Sequence, residues 1–411
     1  MTKLKRKAKR KICLIIFLIL ILLGGFGIKY MIKNNNSSYN DNKKNETKEP
    51  EDPIKTYKAS LIATGDGLIH STIYKAAYNS ATSNYDFSKM LTYTKDLLKD
   101  YDIKYYNQET IFDDEEDYGG YPRFNSPSDF GKSMIEAGFN MVSLATNHSM
   151  DRGADSAKRS VNWWKSQENI LTNGMATSEE MRTNYQIMEA NGITYTMLSY
   201  TYGTNGLGTS EINSEPYLVN LYDEELIKKD IAAVRDKVDV LIVAMHWGNE
   251  YQQTASETQR NQAKFLSENG VDIVLGTHSH CIQPWEMIGD TVVFYSFGNF
   301  ISNQMGAEQA IVRKVGVIGM FATLDITKTV DTEKNTTTIE IGNIGADLNY
   351  TYRFYNNGIN KYDYMVIPFS KMEEKYLKNY ESVYEEFSSV LKTYDENINI
   401  APLPNTTASE N

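Results

Sequence analysis

Apolar positions along the chain fall into three regimes. From Ile12 to Ile28 they form one run, ICLIIFLILILLGGFGI, 17 residues without a charge. From Asn34 to Pro53 they almost vanish, in NNNSSYNDNKKNETKEPEDP. From about Tyr57 to Leu391 short β-rich runs alternate with stretches whose apolar residues recur at helical spacing. In this third region Lys58 to Thr64 (KASLIAT) predicts a strand, Phe87 to Leu98 a helix and Ile103 to Tyr106 a short strand. Ser128 to Ala137 predicts a helix opened by an N-cap-like Ser after Pro127. Asn140 to Leu144 reads as a strand and Ala154 to Gln167 as a helix. Val238 to Met245 (VDVLIVAM) predicts a fully buried strand, Ser256 to Asn269 a helix closed by Gly270, and Val271 to Leu275 another buried strand. Glu286 to Phe297 predicts a hairpin turning at Gly289-Asp290. Val315 to Ile326, Thr338 to Ile341 and Tyr362 to Ile367 read as antiparallel strands. Alternating strands and helices, with no internal repeat, predict one α/β body with buried sheets.

The first run bears on compartment. Seven cations (Lys3, Lys5, Arg6, Lys7, Lys9, Arg10, Lys11) precede it, and Tyr30, Met31 and Ile32 can extend it. Read as a transmembrane helix with its basic flank cytoplasmic, it anchors the chain and places the bulk outside the cell. A cleaved signal peptide is the rival reading, although no small-x-small site follows the run. A buried core helix would leave the cationic block unexplained. The polar segment cannot bury enough surface to offset its ordering entropy, so it reads as a tether. The expected organisation is a basic cytoplasmic segment 1–11, an anchor 12–31, a disordered linker 32–56, a folded domain 57–391 and a flexible tail 392–411.

Charge narrows the partners. The 411 residues carry a net −11, and nine cations with no acid lie in the first 33, so the remainder carries −20. A body that acidic is not a general nucleic-acid binder. Two cysteines, Cys13 and Cys281, exclude a disulfide framework. Only five histidines occur, which makes their placement informative: His70, His148, His246, His278 and His280.

The chemical signals fall at the C-terminal ends of strands, where α/β folds place ligand sites. In ATGDGLIH, Asp66 leaves a strand and can hold a metal or act as a base; Gly-Asp is also a common turn pair. In YYNQET, Glu109 follows a strand and could equally be a solvated loop acid. In SLATNHSMDRG, Asn147 and His148 emerge together with Asp151 three residues on. A carboxylate that fixes an imidazole suits a general acid, while the bland alternative is a loop His capping a helix. In VAMHWGNEY, His246 ends the most apolar strand, as a core His would, but Gly248 and Glu250 follow directly. In GTHSHCIQP, His278 and His280 flank one residue at a strand end, so both imidazoles project the same way toward a shared metal centre. In FYSFGNFISNQ, Gly298-Asn299 could shape a pocket floor or a turn around a buried Asn. An Asp/Glu/Asn/His set without paired thiolates suits Mn, Fe, Zn or a similar divalent ion. The compatible chemistry is metal-assisted hydrolysis of a phosphate ester.

These motifs, in this order from about Lys58 to Gln304, resemble those of the poly-gamma-glutamate capsule synthesis protein CapA family, which looks like a branch of the calcineurin-like metallophosphoesterases. The resemblance implies a four-layer αββα sandwich of metallophosphatase type and ligand positions for two divalent ions, with Asp66, Glu109, Asn147, His246, His278 and His280 as the metal set. It implies His148 as the proton donor to the leaving group and Asp151 as its orienting partner. Asn107, Arg152, Glu250, Gln283 and Asn299, in or beside the same motifs, are the candidate substrate contacts. The sequence departs from the usual Asp-X-His opening, because three residues separate Asp66 from His70. Asn107-X-Glu109 replaces the usual Gly-Asp-X-X-Asp, with Glu109 in place of the bridging Asp. The resemblance implies a role in synthesis, export or anchoring of a capsular polymer such as poly-gamma-glutamate. A metal-dependent phosphoesterase acting on an unidentified cell-envelope phosphate ester is the alternative. No Gly-X-X-X-X-Gly-Lys-Ser/Thr loop occurs, so amide ligation is expected of separate ligase subunits.

Overall fold

The computed structural model describes residues 53–358 and 360–404. The basic segment, the anchor and most of the linker lie outside the described residues. Among the described residues no helix is long and apolar enough to cross a membrane.

Two large sheets dominate. In the first, the order is Lys361–Pro368, Thr336–Asn356, Ile318–Asp331, Ile54–Gly67, Ile103–Gln108, Met141–Ser143, Leu171–Asn173. Asn299–Ile301 pairs with Ile54–Gly67 off this path, and Asn399–Ile400 with Thr336–Asn356. The second sheet runs Trp285–Ile288, Thr291–Phe294, Ile273–Thr277, Val240–His246, Ile193–Thr201, Met188–Ala190. Ile54–Gly67, Ile103–Gln108, Met141–Ser143 and Leu171–Asn173 are mutually parallel. So are Ile193–Thr201, Val240–His246, Ile273–Thr277 and Thr291–Phe294.

The period-2 alternation of each strand divides its side chains between two cores. Val240, Ile242 and Ala244 join Leu61, Ala63, Tyr105 and Met141 in a core between the sheets. Their sequence neighbours Leu241, Val243 and Met245 face the other way, against Ile227, Ile231 and Val234 of helix Glu224–Val234 and Ala263 and Leu266 of helix Glu257–Glu268. On the first sheet Ile62, Tyr106 and Val142 meet Phe130 and Met134 of helix Asp129–Ala137 and Ala157, Val161 and Trp164 of helix Gly153–Lys165. Helices thus pack on the face of each sheet that the shared core leaves open. Both faces of the parallel strands are covered, which is why they read as continuous apolar runs. Each fully buried Val, Leu or Ile there contributes roughly 1.5–3 kcal/mol of transfer free energy.

Local chemistry sets the element ends. Ser256 and Gln259 form a reciprocal capping box, and Gly270 follows that helix with φ +83°. The hairpin turns at Gly289, φ +60°. Ser128 does not cap its helix: it is itself in helical conformation, and its hydroxyl donates to Asp114. The folded body also extends beyond both expected limits. The first strand begins at Ile54, paired with Asp331. At the other end helix Tyr380–Leu391 buries Tyr380, Phe387 and Leu391 in the inter-sheet core. Asn399 and Ile400 then add a parallel pairing to Gly345 and Ala346, and Leu403 is buried. Spaced apolar residues Ile398, Ile400 and Leu403 hold this end down within a segment whose average composition is polar.

Candidate metal centre

The parallel strands of both sheets end on one side of the molecule. The first sheet delivers Asp66 at the end of Ile54–Gly67, Asn107 within Ile103–Gln108 and Glu109 directly after it, and Asn147 and His148 in the turn after Met141–Ser143. The second delivers His246 as the last residue of Val240–His246, and His278 and His280 just past Ile273–Thr277. Close backbone packing makes this convergence possible. A Cβ on Gly65 would lie 1.8 Å from the Gly298 carbonyl oxygen, and one on Gly276 would lie 2.1 Å from that of Tyr295. His278 and His280 then take positive φ, +92° and +55°, as the chain leaves the strand.

All of these side chains are buried. Asp66, Glu109 and His280 bring one ligand atom each to within 4.8 Å of one another. Glu109 Oε1 lies 3.6 Å from His280 Nε2 and 3.9 Å from both His148 Nε2 and His246 Nε2. Neither Glu109 oxygen has a hydrogen-bond partner, and neither does His278 Nδ1. A buried carboxylate without a donor is costly unless a cation satisfies it. Orphaned oxygens among imidazole nitrogens therefore fit a divalent ion. Asn147 Oδ1 and His246 Nε2, 3.0 Å apart, offer two further ligand atoms, with the His278 ring 4.8 Å from that of His246.

Neighbouring groups orient these ligands, as outer-shell partners of a metal site do. The Asn107 amide donates to Asp66 Oδ1 at 2.7 Å while its oxygen accepts from the Ser143 hydroxyl at 2.5 Å. Asn107 thus braces Asp66, and its polar atoms are already engaged within the protein. The Asn299 amide nitrogen donates to the Gly316 carbonyl and to Gln304, which leaves its oxygen to accept from His280 Nδ1 at 3.0 Å. That bond points His280 Nε2 at Glu109. Thr277 Oγ1 lies 3.0 Å from His246 Nδ1.

Burial governs the charges. It pushes His278 down to about 3 and His246 well below its ordinary value, so both imidazoles are neutral, the form that binds metal. Burial lifts Glu109 well above the usual carboxylate range, with His280 opposing. Burial also opposes charge on His280, but Glu109 and the hydrogen-bonded Asp66 outweigh it and raise it to about 10. His148 Nδ1 is 2.7 Å from Asp151 Oδ2, and its Nε2 faces the cluster.

Arg152 is exposed and donates to the Arg123 carbonyl at 3.1 Å. Glu250 is exposed on the loop after His246. Gln283 is fully buried, its oxygen accepting from Gln259 and its amide donating to the Gln252 and Thr254 carbonyls, so it ties loops together and presents no free donor. His70 Nδ1 meets the Leu68 carbonyl and the Asn303 N–H, each at 3.1 Å, and burial pushes this group down to about 4. Sequence reasoning missed Phe124, whose N–H donates to Asp151 and whose ring packs against His148 with centroids 4.7 Å apart. It also missed Tyr202, 4.6 Å from the His278 ring. Both are loop aromatics without any motif to mark them.

Fold and site define an α/β protein with a buried carboxylate–imidazole cluster that fits a divalent cation. The chain belongs to the bacterial capsule synthesis protein PGA_cap family, whose profile matches residues 60–304. It is similar to the PGA biosynthesis protein CapA of Bacillus subtilis (strain 168), 31% identical over 175 residues, covering 42% of this chain and 45% of that protein. It is also similar to the capsule biosynthesis protein CapA of Bacillus anthracis, 25% identical over 256 residues, covering 60% of each. The matches thus span about half the length of these relatives. Among solved structures, the calcineurin-like phosphoesterase YfkN of Bacillus subtilis overlaps 70% of this chain and 91% of its own, at 14% identity and a TM-score of 0.36. That likeness is distant, and the chemistry below stands on this chain's own residues.

Proposed function

We propose that this protein serves capsule biosynthesis from the outer face of a membrane, in the making, export or anchoring of an anionic polymer such as poly-gamma-glutamate. In this reading the buried cluster is a hydrolytic centre of metallophosphoesterase type within a four-layer sandwich. Family membership supports the biological setting, and the basic block with its apolar run supports the anchor and the outward placement. The observation that carries the chemistry is Glu109, with both oxygens buried and unpartnered and Oε1 facing three imidazole nitrogens.

Asp66, Glu109 and His280 would hold one ion, and Asn147, His246 and His278 a second, with Glu109 between them. Divalent ions bound there supply Lewis-acid polarisation of a phosphoryl oxygen and activation of water. The chain's own groups do the rest. Asp151 accepts from His148 Nδ1 and fixes the imidazole with Nε2 toward the cluster. His148 donates the Nε2 proton to the departing alkoxide oxygen, a step worth about 10²–10⁴ in rate. Asn107 and Asn299 keep Asp66 and His280 from rotating away.

The direct substrate is better read as a compact phosphate ester than as free polymer, because a body carrying −20 repels a polyanion. Ligase subunits that form the polymer's amide bonds are the expected partners. The test uses the full chain in detergent, loaded with Mn, Fe or Zn and assayed on a panel of phosphate esters beside His148→Ala and His278→Ala. Metal-stimulated hydrolysis lost in both variants supports the chemistry, and a metal-loaded protein inert across the panel sinks it. Deletion of the gene tests the biology: surface polymer should disappear.

A further inference from the structure

Two tyrosines carry the candidate centre out toward solvent. The Tyr202 ring lies 4.6 Å from that of His278, and the Tyr251 ring 5.9 Å from that of His280. The two imidazoles are 6.1 Å apart and buried, whereas Tyr202 is 50% exposed and Tyr251 half-buried. Phe124, the ring that meets His148, is buried. Tyr202 and Tyr251 therefore stand between the cluster and water.

The ligand-bearing segments hold both residues in place. The Tyr202 N–H donates to the His246 carbonyl at 3.1 Å, and the Tyr251 N–H to the Ser279 carbonyl at 2.7 Å. Tyr251 takes φ +62°, a left-handed conformation uncommon for a bulky residue. The Tyr202 hydroxyl donates to Asn205 Oδ1, which also accepts from Asn147 Nδ2, both at 3.4 Å. Tyr202 is thereby tied to Asn147, the residue directly before His148.

Glu250 supplies charge at the same place. It is exposed, directly precedes Tyr251, and no ion pair engages it among the described residues. Burial is the largest cause that raises the Tyr202 and Tyr251 hydroxyls above their ordinary range, and the Glu250 carboxylate adds to it at both, so its field covers the two rings. Two neutral π faces beside an unpaired carboxylate, on a body carrying −20, attract a cation. A phosphate ester whose phosphoryl group sits at the cluster has only its alcohol part to extend past these rings.

We propose that Tyr202, Tyr251 and Glu250 bind an ammonium group on the alcohol part of the substrate, so that the preferred substrates are phosphate esters of amino alcohols. The proposal rests on the hydrolytic reading of the cluster for the position of the phosphoryl group.

The test compares phosphocholine with 3,3-dimethylbutyl phosphate, which have the same shape and differ in a charged nitrogen against a neutral carbon. The metal-loaded full chain in detergent is assayed beside Tyr202→Leu, Tyr251→Leu, Tyr202→Phe and Glu250→Gln. The ratio of kcat/KM for the charged over the neutral ester should exceed one in the parent protein. It should fall about two- to fivefold in each Leu variant and in Glu250→Gln, and persist in Tyr202→Phe, which keeps a π face. Glu250→Gln alters an exposed side chain and so keeps the test valid if a Leu variant fails to fold. In parallel, isothermal titration measures binding of 2-(trimethylammonio)ethylphosphonate and 3,3-dimethylbutylphosphonate, which need no turnover. A preference for the charged phosphonate that Glu250→Gln weakens upholds the ammonium site even if no ester is hydrolysed, in which case the hydrolytic reading alone fails. Equal binding of the two phosphonates by the parent protein, binding of neither, or a preference that all the variants leave unchanged overturns the proposal.

Discussion

Phe124 and His148 share one oxygen of Asp151: the Phe124 N–H donates to Oδ2 at 2.6 Å, and His148 Nδ1 meets the same atom at 2.7 Å. The Phe124 ring then stands edge-on to the His148 imidazole at 4.7 Å and to that of His70 at 5.4 Å. A loop residue therefore fixes both the Asp151 carboxylate and the His148 ring.

Asp151→Asn should lower kcat by about 10²-fold or more on esters with poor leaving groups, and far less on esters of acidic phenols that depart without a proton. A plot of rate against leaving-group pKa reads this directly. Phe124→Ala, which keeps the N–H but removes a buried ring, should also destabilise the fold by about 3–5 kcal/mol, measured by denaturant unfolding.

Metal removal gives a second expectation. A chelator should lower the melting temperature, and restored ion at about a hundredfold over its Kd should return roughly 2.7 kcal/mol of stability. In Glu109→Gln that response should vanish and elemental analysis should find less bound metal. A variant that still melts higher with added ion would remove Glu109 from the ligand set.

The close strand approach is checked with glycines. Gly65→Ala and Gly276→Ala each drive a Cβ into a carbonyl, and both should lose soluble yield or several degrees of melting temperature. Gly203→Ala is the control, since a Cβ there meets nothing within 4 Å.

Asp347 gives a pH dependence far from the cluster. Burial raises it to about 6, against the lowering effect of Ser370, whose N–H and hydroxyl donate to it. With the folded value above the unfolded one near 3.8, its stabilising share is complete below about pH 4 and is lost as pH rises through about 6. The full swing is roughly 3 kcal/mol. Asp347→Asn should narrow the gap between urea midpoints at pH 4.5 and pH 7.5; an unchanged gap would count against the shift.

The strands that position the site were legible because coverage on both faces makes their sequences apolar throughout, as in VLIVAMH. Ile193–Thr201 (ITYTMLSYT) was not singled out, because buried Thr196, Ser199 and Thr201 break its apolar run. The imidazoles stood out because histidine is scarce and ends such strands. The roles of amides did not: Asn107 and Gln283 look alike as polar residues in motifs, but only three-dimensional pairing shows that one braces Asp66 and the other joins loops. Phe124 and Arg123 approach His148 and Arg152 from a loop more than twenty residues upstream, a proximity no spacing rule encodes.

Asp66 and Glu109 come from one sheet, and His246, His278 and His280 from the other. Neither sheet alone carries the whole candidate ligand set. The ligands can meet only after the wall between the halves has closed, so an ion cannot template the early stages of assembly. An ion seated there would act as a keystone, and its uptake would serve as a gauge of finished folding.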